Sequence, residues 1–586
     1  MMNMNRIISY AFNKENLIFF LLMYLLGITN IVFEPWNGSR FWMAFELFSD
    51  LCLLCTFISL FPSQLQRFFR LSFAIVAYVL SIIDIGCYVR LDMPITPMLL
   101  QLVLQTNARE AQEALSTYIN LRMLASPLLL VLVQTILGII LLWKEKSWTL
   151  KLYSNHFFQH HQLNLGLKAS AFVLFLFGLV TSWQNKEYMF YRIICQYSEL
   201  ETQKVKDFSN KTYFYTPVYR LAFALSETRR VQSEINTFER SLKKAQVDSA
   251  VYTSPHIVLI IGESYNRHHS SLYGYDKMTT PFQLDRKNKG ELIPFDDIIS
   301  SWNTTCESLK NIFSTHSVGQ KGTWASAPPF TLLFRLAGYH TSFYSNQYVV
   351  EKKGFSDFIE DAFFNNPATS KKMFDIRNTD LHEYDLSLLN DYRQNKNNYK
   401  YTLDIFHFLG LHADFNQRYP KKFAVFSTKD YVRKDLPDEN KQILADYDNA
   451  IVYNDYVLDS ILKLFEDKEA LVIFVPDHGE RVFDNSTEWG RNLTWNRNDI
   501  RQQFNIPFWV WSSTLYREKH PSLWKNIQNA KGKRGMTDTL AQLLLHIAGI
   551  HTKWYEPTMD ILNSNYHSDR KRIIRGERDY DKIISR

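Results

Sequence analysis

The pattern of apolar and polar positions divides the chain into two parts. Five apolar stretches lie within the first 183 residues, and a helix needs roughly 20 such residues to cross about 30 Å of hydrocarbon. One stretch alone could be a buried helix of a globular protein, but five in succession predict a membrane domain over residues 1–184. The predicted spans are 17–33, 42–61, 71–89, 124–143 and 169–183.

Basic residues between the predicted spans indicate their orientation. They precede the first span, lie between the second and third, and are most frequent between the fourth and fifth, at Lys144, Lys146, Lys151 and Lys168. Lys and Arg are enriched in cytoplasmic loops. The N-terminus is therefore expected in the cytoplasm, and five spans would place everything after residue 183 on the other side of the membrane.

The rest of the chain alternates between short apolar runs and helical patterns. The runs at 256–262 and 471–476 are typical of buried strands in a parallel sheet. Strands alternating with helices predict an α/β domain with a mostly parallel central sheet over 251–586, joined to the membrane domain by helices within 185–250. Further strands are predicted at 341–344, 403–408 and 504–511, and helices at 441–465 and 536–547.

The amino-acid composition agrees with this division and reduces the number of partner classes to consider. The aromatic share is 15%, although the mean hydropathy is slightly negative. A net charge of +7 suits work beside an anionic surface. The basic residues are scattered and no zinc-finger spacing is present, so no nucleic acid partner is expected. Cys195 and Cys306 are too few for a disulfide framework, and both are expected to be free thiols.

Two predicted strands end in residues that can bind a metal. Glu263 follows the first strand, and Asp477 and His478 follow the run at 471–476. Ligands of parallel sheets bind beyond the carboxyl ends of the strands. Two carboxylates and an imidazole suit a hard or borderline divalent cation. An isolated Asp-His pair could simply close a loop, so the prediction of a metal site depends on the second strand end.

Several motifs, taken in order, resemble those of the phosphoethanolamine transferases in the alkaline phosphatase/sulfatase superfamily. They are Ile261-Gly-Glu-Ser264, Leu272-Tyr-Gly-Tyr275, Thr279-Thr-Pro-Phe282, His407-Phe-Leu-Gly-Leu-His412, Tyr447-Asp-Asn-Ala-Ile-Val-Tyr-Asn-Asp-Tyr456 and Pro476-Asp-His-Gly-Glu480. The resemblance covers nearly the whole chain. It implies a five-helix transmembrane domain plus an alkaline-phosphatase/sulfatase-like domain, anchored in a bacterial inner membrane with the catalytic domain in the periplasm.

The resemblance also implies an activity. Phosphoethanolamine would pass from phosphatidylethanolamine to lipopolysaccharide, at a core sugar or at lipid A, or to another periplasmic glycan. Zinc would be held by Glu263, Asp477, His478 and a nucleophilic threonine, whose hydroxyl pKa the ion lowers. Thr305 is favoured, since Thr305-Cys-Glu-Ser-Leu309 resembles the form found in relatives that modify the lipopolysaccharide core. Thr304 fits the spacing of the lipid A branch and remains an alternative.

Further residues are implied to contact substrates. His412 would contact phosphate or acceptor, or a second zinc, unless it is an ordinary loop histidine. Arg491 stands in a region where the lipid A branch carries a histidine; it could neutralise phosphate or be a solvated side chain. Asn107 and Glu110 resemble an element near the donor lipid, though an amphipathic surface helix is the simpler interpretation. Lys352, Lys353 and residues 345–347 are acceptor-site candidates by position alone.

Other functions are compatible with the same residues. A phosphoglycerol transferase or a phosphodiesterase would use the same centre on another group, and a decayed domain could serve as a membrane scaffold. A sulfatase of the formylglycine type is not expected, because Cys306-Glu-Ser-Leu-Lys310 lacks the Cys/Ser-x-Pro-x-Arg signature.

Overall fold

A computed structural model describes the chain at residues 13, 16–33, 40–91, 94–97, 99–100, 126–143, 161–197, 202, 214–348, 363, 366–395, 398–484, 486–491 and 495–585. The chain forms two compact units, Met1–Gln232 and Ser233–Arg586. The division falls inside the segment 185–250, which the sequence assigns to connecting helices. The boundaries of the three predicted domains stay predictions.

The first unit contains five apolar helices among its described residues, and each predicted span overlaps one of them. They are α1 Leu17–Phe33, α2 Arg40–Ile58, α3 Ser63–Leu91, α4 Pro127–Trp143 and α5 His161–Met189. Three segments are long and apolar enough to cross a membrane: Phe41–Ile58, Ser63–Val89 and Gly166–Ile194. Helices α1 and α4 are shorter, at 17 residues each. Apolar N-terminal helices are confirmed, and the count of five spans is confirmed only in part.

Buried carboxylates of the first unit form ion pairs with basic side chains. Lys186 Nζ lies 2.8 Å from Glu46 Oε1 and 2.6 Å from Asp50 Oδ2. Arg220 Nη2 lies 2.9 Å from Asp84 Oδ2. An unpaired charge among apolar helices is costly. These contacts therefore restrict how the helices of this unit can pack.

The second unit is built on strands and helices, and the helix Pro217–Lys243 begins before its first residue, Ser233. Its strands are β1 Ser249–Ala250, β2 His256–Gly262, β3 Leu292–Pro294, β4 Asp297–Ile299, β5 His340–Ser345, β6 Ile376–Arg377, β7 Thr402–His407, β8 Ala470–Pro476, β9 Trp509–Ser512, β10 Arg534–Met536, β11 Ile550–His551, β12 Ile573–Ile574 and β13 Arg578–Asp579. The remaining α-helices are α6 Pro217–Lys243, α7 Pro281–Asn288, α8 Thr305–Phe313, α9 Phe330–Leu336, α10 Pro367–Met373, α11 Leu388–Gln394, α12 Asp438–Lys463, α13 Arg497–Phe504, α14 Thr514–Lys519, α15 Pro521–Ala530, α16 Leu540–Ala548 and α17 Tyr580–Ile584.

A seven-stranded sheet in the order β3-β9-β8-β2-β7-β5-β6 forms the centre of this unit. Strand β2 lies between β7 and β8, with Ile261 opposite both His407 and Val475. Alternate residues of β2 point into two separate hydrophobic clusters, one on each face of the sheet. Burial on both faces explains why these strands are continuous apolar runs. The register brings the residues that follow β2, β7 and β8 to one edge.

The sheet is mixed, which corrects part of the expected architecture. Strands β8, β2, β7, β5 and β6 run parallel, whereas β9 is antiparallel to both β8 and β3. The strand predicted at 504–511 begins only at Trp509, because residues up to Phe504 belong to α13. Strand β9 is buried throughout, so its pattern of apolar residues does not distinguish it from a buried parallel strand.

Candidate active site and metal centre

The turn after β2 fixes the first candidate ligand. Glu263 is 1% exposed, and Ser264 adopts a left-handed conformation with φ of 54°, which is uncommon outside glycine and asparagine. This turn lets the Ser264 hydroxyl donate to Glu263 Oε1 at 2.6 Å and the Ser264 N–H donate to Asp477 Oδ1 at 3.0 Å. One backbone turn thus holds two carboxylates side by side.

The turn after β8 supplies the other two candidates. Asp477 and His478 are fully buried. His478 Nδ1 lies 2.8 Å from the Gly479 carbonyl oxygen, which can only accept, so Nδ1 carries the proton and Nε2 keeps its lone pair. Nε2 lies 3.2 Å from Asp477 Oδ2 and 3.6 Å from Glu263 Oε1. The unprotonated nitrogen therefore lies close to both carboxylates.

The three side chains fit a divalent cation. Their ligand atoms lie within 4.8 Å of one another, and no other such group of His, Cys, Asp and Glu occurs among the described residues. Asp477 Oδ2 is buried without a hydrogen-bond partner. Burial and the neighbouring Glu263 raise the pKa of Asp477 well above its usual range, whereas burial lowers the pKa of His478 to about 4. A cation would relieve the repulsion between the carboxylates, and this donor set suits zinc.

The structure distinguishes the two candidate threonines. Thr305 is the first residue of α8, and its hydroxyl donates to Glu263 Oε2 at 3.1 Å and lies 3.4 Å from His478 Nε2. Thr304 precedes the helix, is exposed, and forms no capping hydrogen bond through its side chain. The first turn of a helix also favours negative charge. Thr305, and not Thr304, therefore joins the cluster of candidate metal ligands.

Arg491 brings a positive charge to the same cluster. Its Nη1 lies 2.8 Å from His478 Nε2 and its Nε lies 3.8 Å from Glu480 Oε2. Burial raises the pKa of the Glu480 carboxyl to about 7. Nε2 of His478 has a single lone pair. A metal ion bound to Nε2 would therefore displace the guanidinium of Arg491. Arg491 would then stand beside the ion with its donors available to an anion.

The segments that follow β5 and β7 both approach Glu263. Gln347 Nε2 donates to Glu263 Oε2 at 3.0 Å and to the Phe408 carbonyl at 2.7 Å, so Gln347 supports a candidate ligand. Gly410, at φ of +52°, approaches so closely that a Cβ would lie 3.0 Å from Glu263 Cβ. Sequence reasoning missed Gly410, although it stands inside the His407–His412 motif.

The remaining predicted residues are less closely tied to this cluster. His412 is half-buried in the turn after β7, and within the described residues no hydrogen bond or ion pair joins its imidazole to Glu263, Asp477 or His478. Its role stays a prediction. Asn107, Glu110, Lys352 and Lys353 lie outside the described residues.

The chain is similar in sequence to known proteins over most of its length. Phosphoethanolamine transferase EptC of Escherichia coli K12 is 26% identical over 537 residues, covering 89% of this chain and 86% of that protein. Phosphoethanolamine transferase CptA of Salmonella typhimurium is 25% identical over 561 residues, covering 93% and 89%. The solved C-terminal periplasmic domain of EcEptC from Escherichia coli, in complex with Zn, is 26% identical, with a TM-score of 0.49, and covers 57% of this chain and 95% of that domain.

The profile of the sulfatase family matches residues 255–550. This match takes in β2, β7 and β8 and all three candidate metal ligands. It also spans just over half of the chain. The chain therefore belongs to the sulfatase family.

Proposed function

We propose that the protein transfers phosphoethanolamine from phosphatidylethanolamine to lipopolysaccharide or another periplasmic glycan, with Thr305 as the nucleophile. The observation that carries this proposal is the Thr305 hydroxyl, which lies within hydrogen-bonding distance of Glu263 and His478 at the start of a helix. The names of the relatives, which match over most of the chain, support the choice of phosphoethanolamine as the transferred group.

Glu263, Asp477 and His478, together with the Thr305 hydroxyl, would hold the zinc ion. When bound, zinc would lower the pKa of the threonine hydroxyl and neutralise charge on the phosphate. The chain positions these groups before any substrate arrives: Ser264 and Gln347 hold Glu263, and the Gly479 carbonyl orients the imidazole.

In the first half of the reaction, Thr305 Oγ1 forms a bond to the phosphorus of the donor lipid. The bond from phosphorus to the glycerol oxygen breaks, and diacylglycerol leaves. The hydroxyl proton departs along the hydrogen bond to Glu263 and is finally taken up by the glycerol oxygen. Arg491 offsets phosphate charge, because a guanidinium matches the geometry of phosphate oxygens. Phosphoethanolamine remains attached to Thr305.

In the second half, an acceptor hydroxyl attacks the same phosphorus. The bond to Thr305 Oγ1 breaks, and the acceptor proton restores the threonine hydroxyl. Both displacements depend on placing the attacking oxygen in line with the leaving oxygen. The residues that hold Glu263 and His478 therefore serve both steps.

The proposal places the protein in a bacterial inner membrane, with five spans in residues 1–184, connecting helices in 185–250 and the catalytic domain at 251–586 in the periplasm. Three long apolar helices and the distribution of basic residues support this placement. The donor lipid would then lie in the same membrane as the enzyme.

The test is transfer of label from radiolabelled phosphatidylethanolamine to lipopolysaccharide by the purified full chain. Thr305→Ala should lower the rate by about 10³-fold or more, as for loss of a nucleophile. Thr304→Ala is the matched control, expected within about threefold of wild type. Retained turnover in Thr305→Ala with loss in Thr304→Ala would show that the wrong threonine was chosen. No label in any lipid or glycan acceptor would refute the proposal.

A further inference from the structure

The two metal-ligand residues after β8 are followed at once by a hairpin. Within this hairpin, residues 481–484 and 486–491 are described. Val482 and Trp489 form an antiparallel bridge, and the Gly490 N–H donates to the Arg481 carbonyl at 2.9 Å. The hairpin returns the chain to Arg491, which contacts His478. Its described residues are therefore held near His478.

The hairpin displays an aromatic ring to solvent. Trp489 is 41% exposed, and it is the one tryptophan that is largely exposed among the described residues of the second unit. Its ring meets Phe415 edge-on, with centroids 5.7 Å apart, and Phe415 packs in turn on Tyr447 at 4.9 Å. Both supporting rings are buried. The indole is thus held on one side and open on the other.

The exposed indole is close in sequence to a residue of the candidate site. One residue, Gly490, separates Trp489 from Arg491, which limits the distance between their Cα atoms to about 7 Å. The Arg491 side chain reaches back to His478 Nε2 at 2.8 Å. Trp489 therefore lies on the same hairpin as a side chain that contacts the candidate metal site.

A polar cleft of about 810 Å³ opens on the same hairpin. Arg481 on its wall is held by Glu488 Oε2 at 2.7 Å and Asp499 Oδ2 at 3.3 Å. Arg433 donates to the Phe483 carbonyl at 3.0 Å. The polar groups are oriented before a ligand arrives, which reduces the entropy lost on binding.

The charges of this cleft select the kind of ligand. Its lining includes two arginines and three carboxylates, those of Arg433, Arg481, Asp435, Glu488 and Asp499. Such a balance does not favour a polyanion, and a polar lining does not favour an acyl chain. Hydroxyl groups, which both donate and accept hydrogen bonds, suit it well. A sugar ring combines many hydroxyls with a flat face of C–H bonds that can lie on an indole.

We propose that this hairpin is the acceptor subsite and that it binds an uncharged saccharide ring, with Trp489 as the stacking platform and the polar cleft contacting the hydroxyls of the adjoining residues. This inference rests on the proposed transfer reaction and narrows its acceptor to a sugar hydroxyl rather than a lipid A phosphate. Trp489 acts in the second half of the reaction only, because the donor lipid does not need the stacking platform.

The experiment measures the two half-reactions separately in the purified full chain. The chain is first incubated with radiolabelled phosphatidylethanolamine and no acceptor, and the label attached to the protein is measured. Discharge is then started with an oligosaccharide released from lipopolysaccharide by mild acid and stripped of phosphate and phosphoethanolamine with hydrogen fluoride. Variants Trp489→Ala and Trp489→Phe are compared with Tyr399→Ala. Tyr399 is an equally exposed aromatic residue, at 44%, stacked on His340 at the opposite edge of the sheet.

The label on the protein should form at the wild-type rate in all variants. Discharge at subsaturating oligosaccharide should slow about tenfold in Trp489→Ala through a raised KM, and should stay within about threefold of wild type in Trp489→Phe, which keeps an aromatic face. Tyr399→Ala should match wild type. Wild-type discharge by Trp489→Ala, or loss of labelling in that variant, would overturn the assignment of Trp489 to the acceptor step.

A binding measurement distinguishes failure of the saccharide subsite from failure of the proposed reaction. Saturation-transfer difference NMR of the oligosaccharide with the unlabelled chain should show contact that Trp489→Ala weakens and Tyr399→Ala does not. If wild type binds the oligosaccharide in this way but never accepts label from phosphatidylethanolamine, the reaction is wrong and the saccharide subsite stands. If it accepts label and neither binds nor uses the oligosaccharide, the subsite is wrong and the reaction stands.

Discussion

Replacing His269 with glutamine should destabilise the second unit in a manner that depends on pH. His269 follows β2 and is fully enclosed, with Nδ1 at 2.6 Å from Asp448 Oδ1 and Nε2 at 3.2 Å from Asp484 Oδ1. Asp448 also accepts from Tyr275 at 2.8 Å and from Tyr431 at 2.6 Å. The imidazolium thus joins the loop after β2, helix α12 and the hairpin after β8. Glutamine would leave the Asp448 carboxylate buried without its cation.

The magnitude follows from the pKa. Burial disfavours the charged imidazole, but Asp484 and Asp448 outweigh it and raise the pKa of His269 from 6.5 to about 10. At roughly 1.4 kcal/mol per pH unit, this difference corresponds to about 5 kcal/mol. Removing one partner of a buried ion pair costs a comparable 3–5 kcal/mol or so. Because the folded pKa is raised, this stability is fully present below pH 6.5 and is lost as the pH rises through about 10.

The assay is urea unfolding of the full chain in detergent, followed by tryptophan fluorescence. The free energy of unfolding of wild type should exceed that of His269→Gln by about 3–5 kcal/mol at pH 6 and by about 1 kcal/mol at pH 9.5. His382→Gln is the control, since it removes a histidine–aspartate pair that is partly exposed and should cost under about 1 kcal/mol. An equal loss at both pH values for His269→Gln would refute the linkage.

Three further predictions concern single contacts. Gly410→Ala should lower transfer activity more than Gly290→Ala, because both glycines have positive φ but only a Cβ at Gly410 would meet Glu263, at 3.0 Å. Lys186→Met should lower the free energy of unfolding of the first unit by about 1–3 kcal/mol, because Glu46 and the partly buried Asp50 lose their cation, whereas Lys186→Arg should retain most of it. Asp477→Asn should lower bound zinc, measured by elemental mass spectrometry, because an amide is a weaker ligand than a carboxylate.

Each of these predictions has a contradicting result. Equal activities of the two glycine variants would show that backbone strain alone, and not contact with Glu263, limits Gly410. Wild-type stability of Lys186→Met would mean that the carboxylates in the first unit are hydrated. Unchanged zinc in Asp477→Asn would place the ion elsewhere.

The sequence predicted the parts of the fold that depend on burial. Strands β2 and β8 are long apolar runs because helices cover both faces of the sheet, and their ends could be placed to within a residue. The common edge of the sheet then brought Glu263 and the Asp477-His478 pair together as expected. Strand direction was less predictable: β9 is as buried as its parallel neighbours, so nothing in its residues distinguishes an antiparallel strand.

The finer geometry of the site depends on backbone conformation. The left-handed turn at Ser264 directs its N–H to Asp477, and no glycine marks it. Adjacent threonines are equivalent in sequence, whereas in the structure the start of α8 turns Thr305 toward Glu263 and leaves Thr304 exposed. Gly410 is needed because of an approach between two loops that are more than 140 residues apart, a contact that a single sequence does not reveal.

The central claim is that Thr305 carries the transferred group. The full chain is incubated with phosphatidylethanolamine without any acceptor, quenched in acid, digested and sequenced by tandem mass spectrometry. The account predicts phosphoethanolamine on Thr305, absent from Thr305→Ala and removed when acceptor is added. Phosphoethanolamine on Thr304 or another residue, or transfer to acceptor with no modified peptide at any time point, would contradict it.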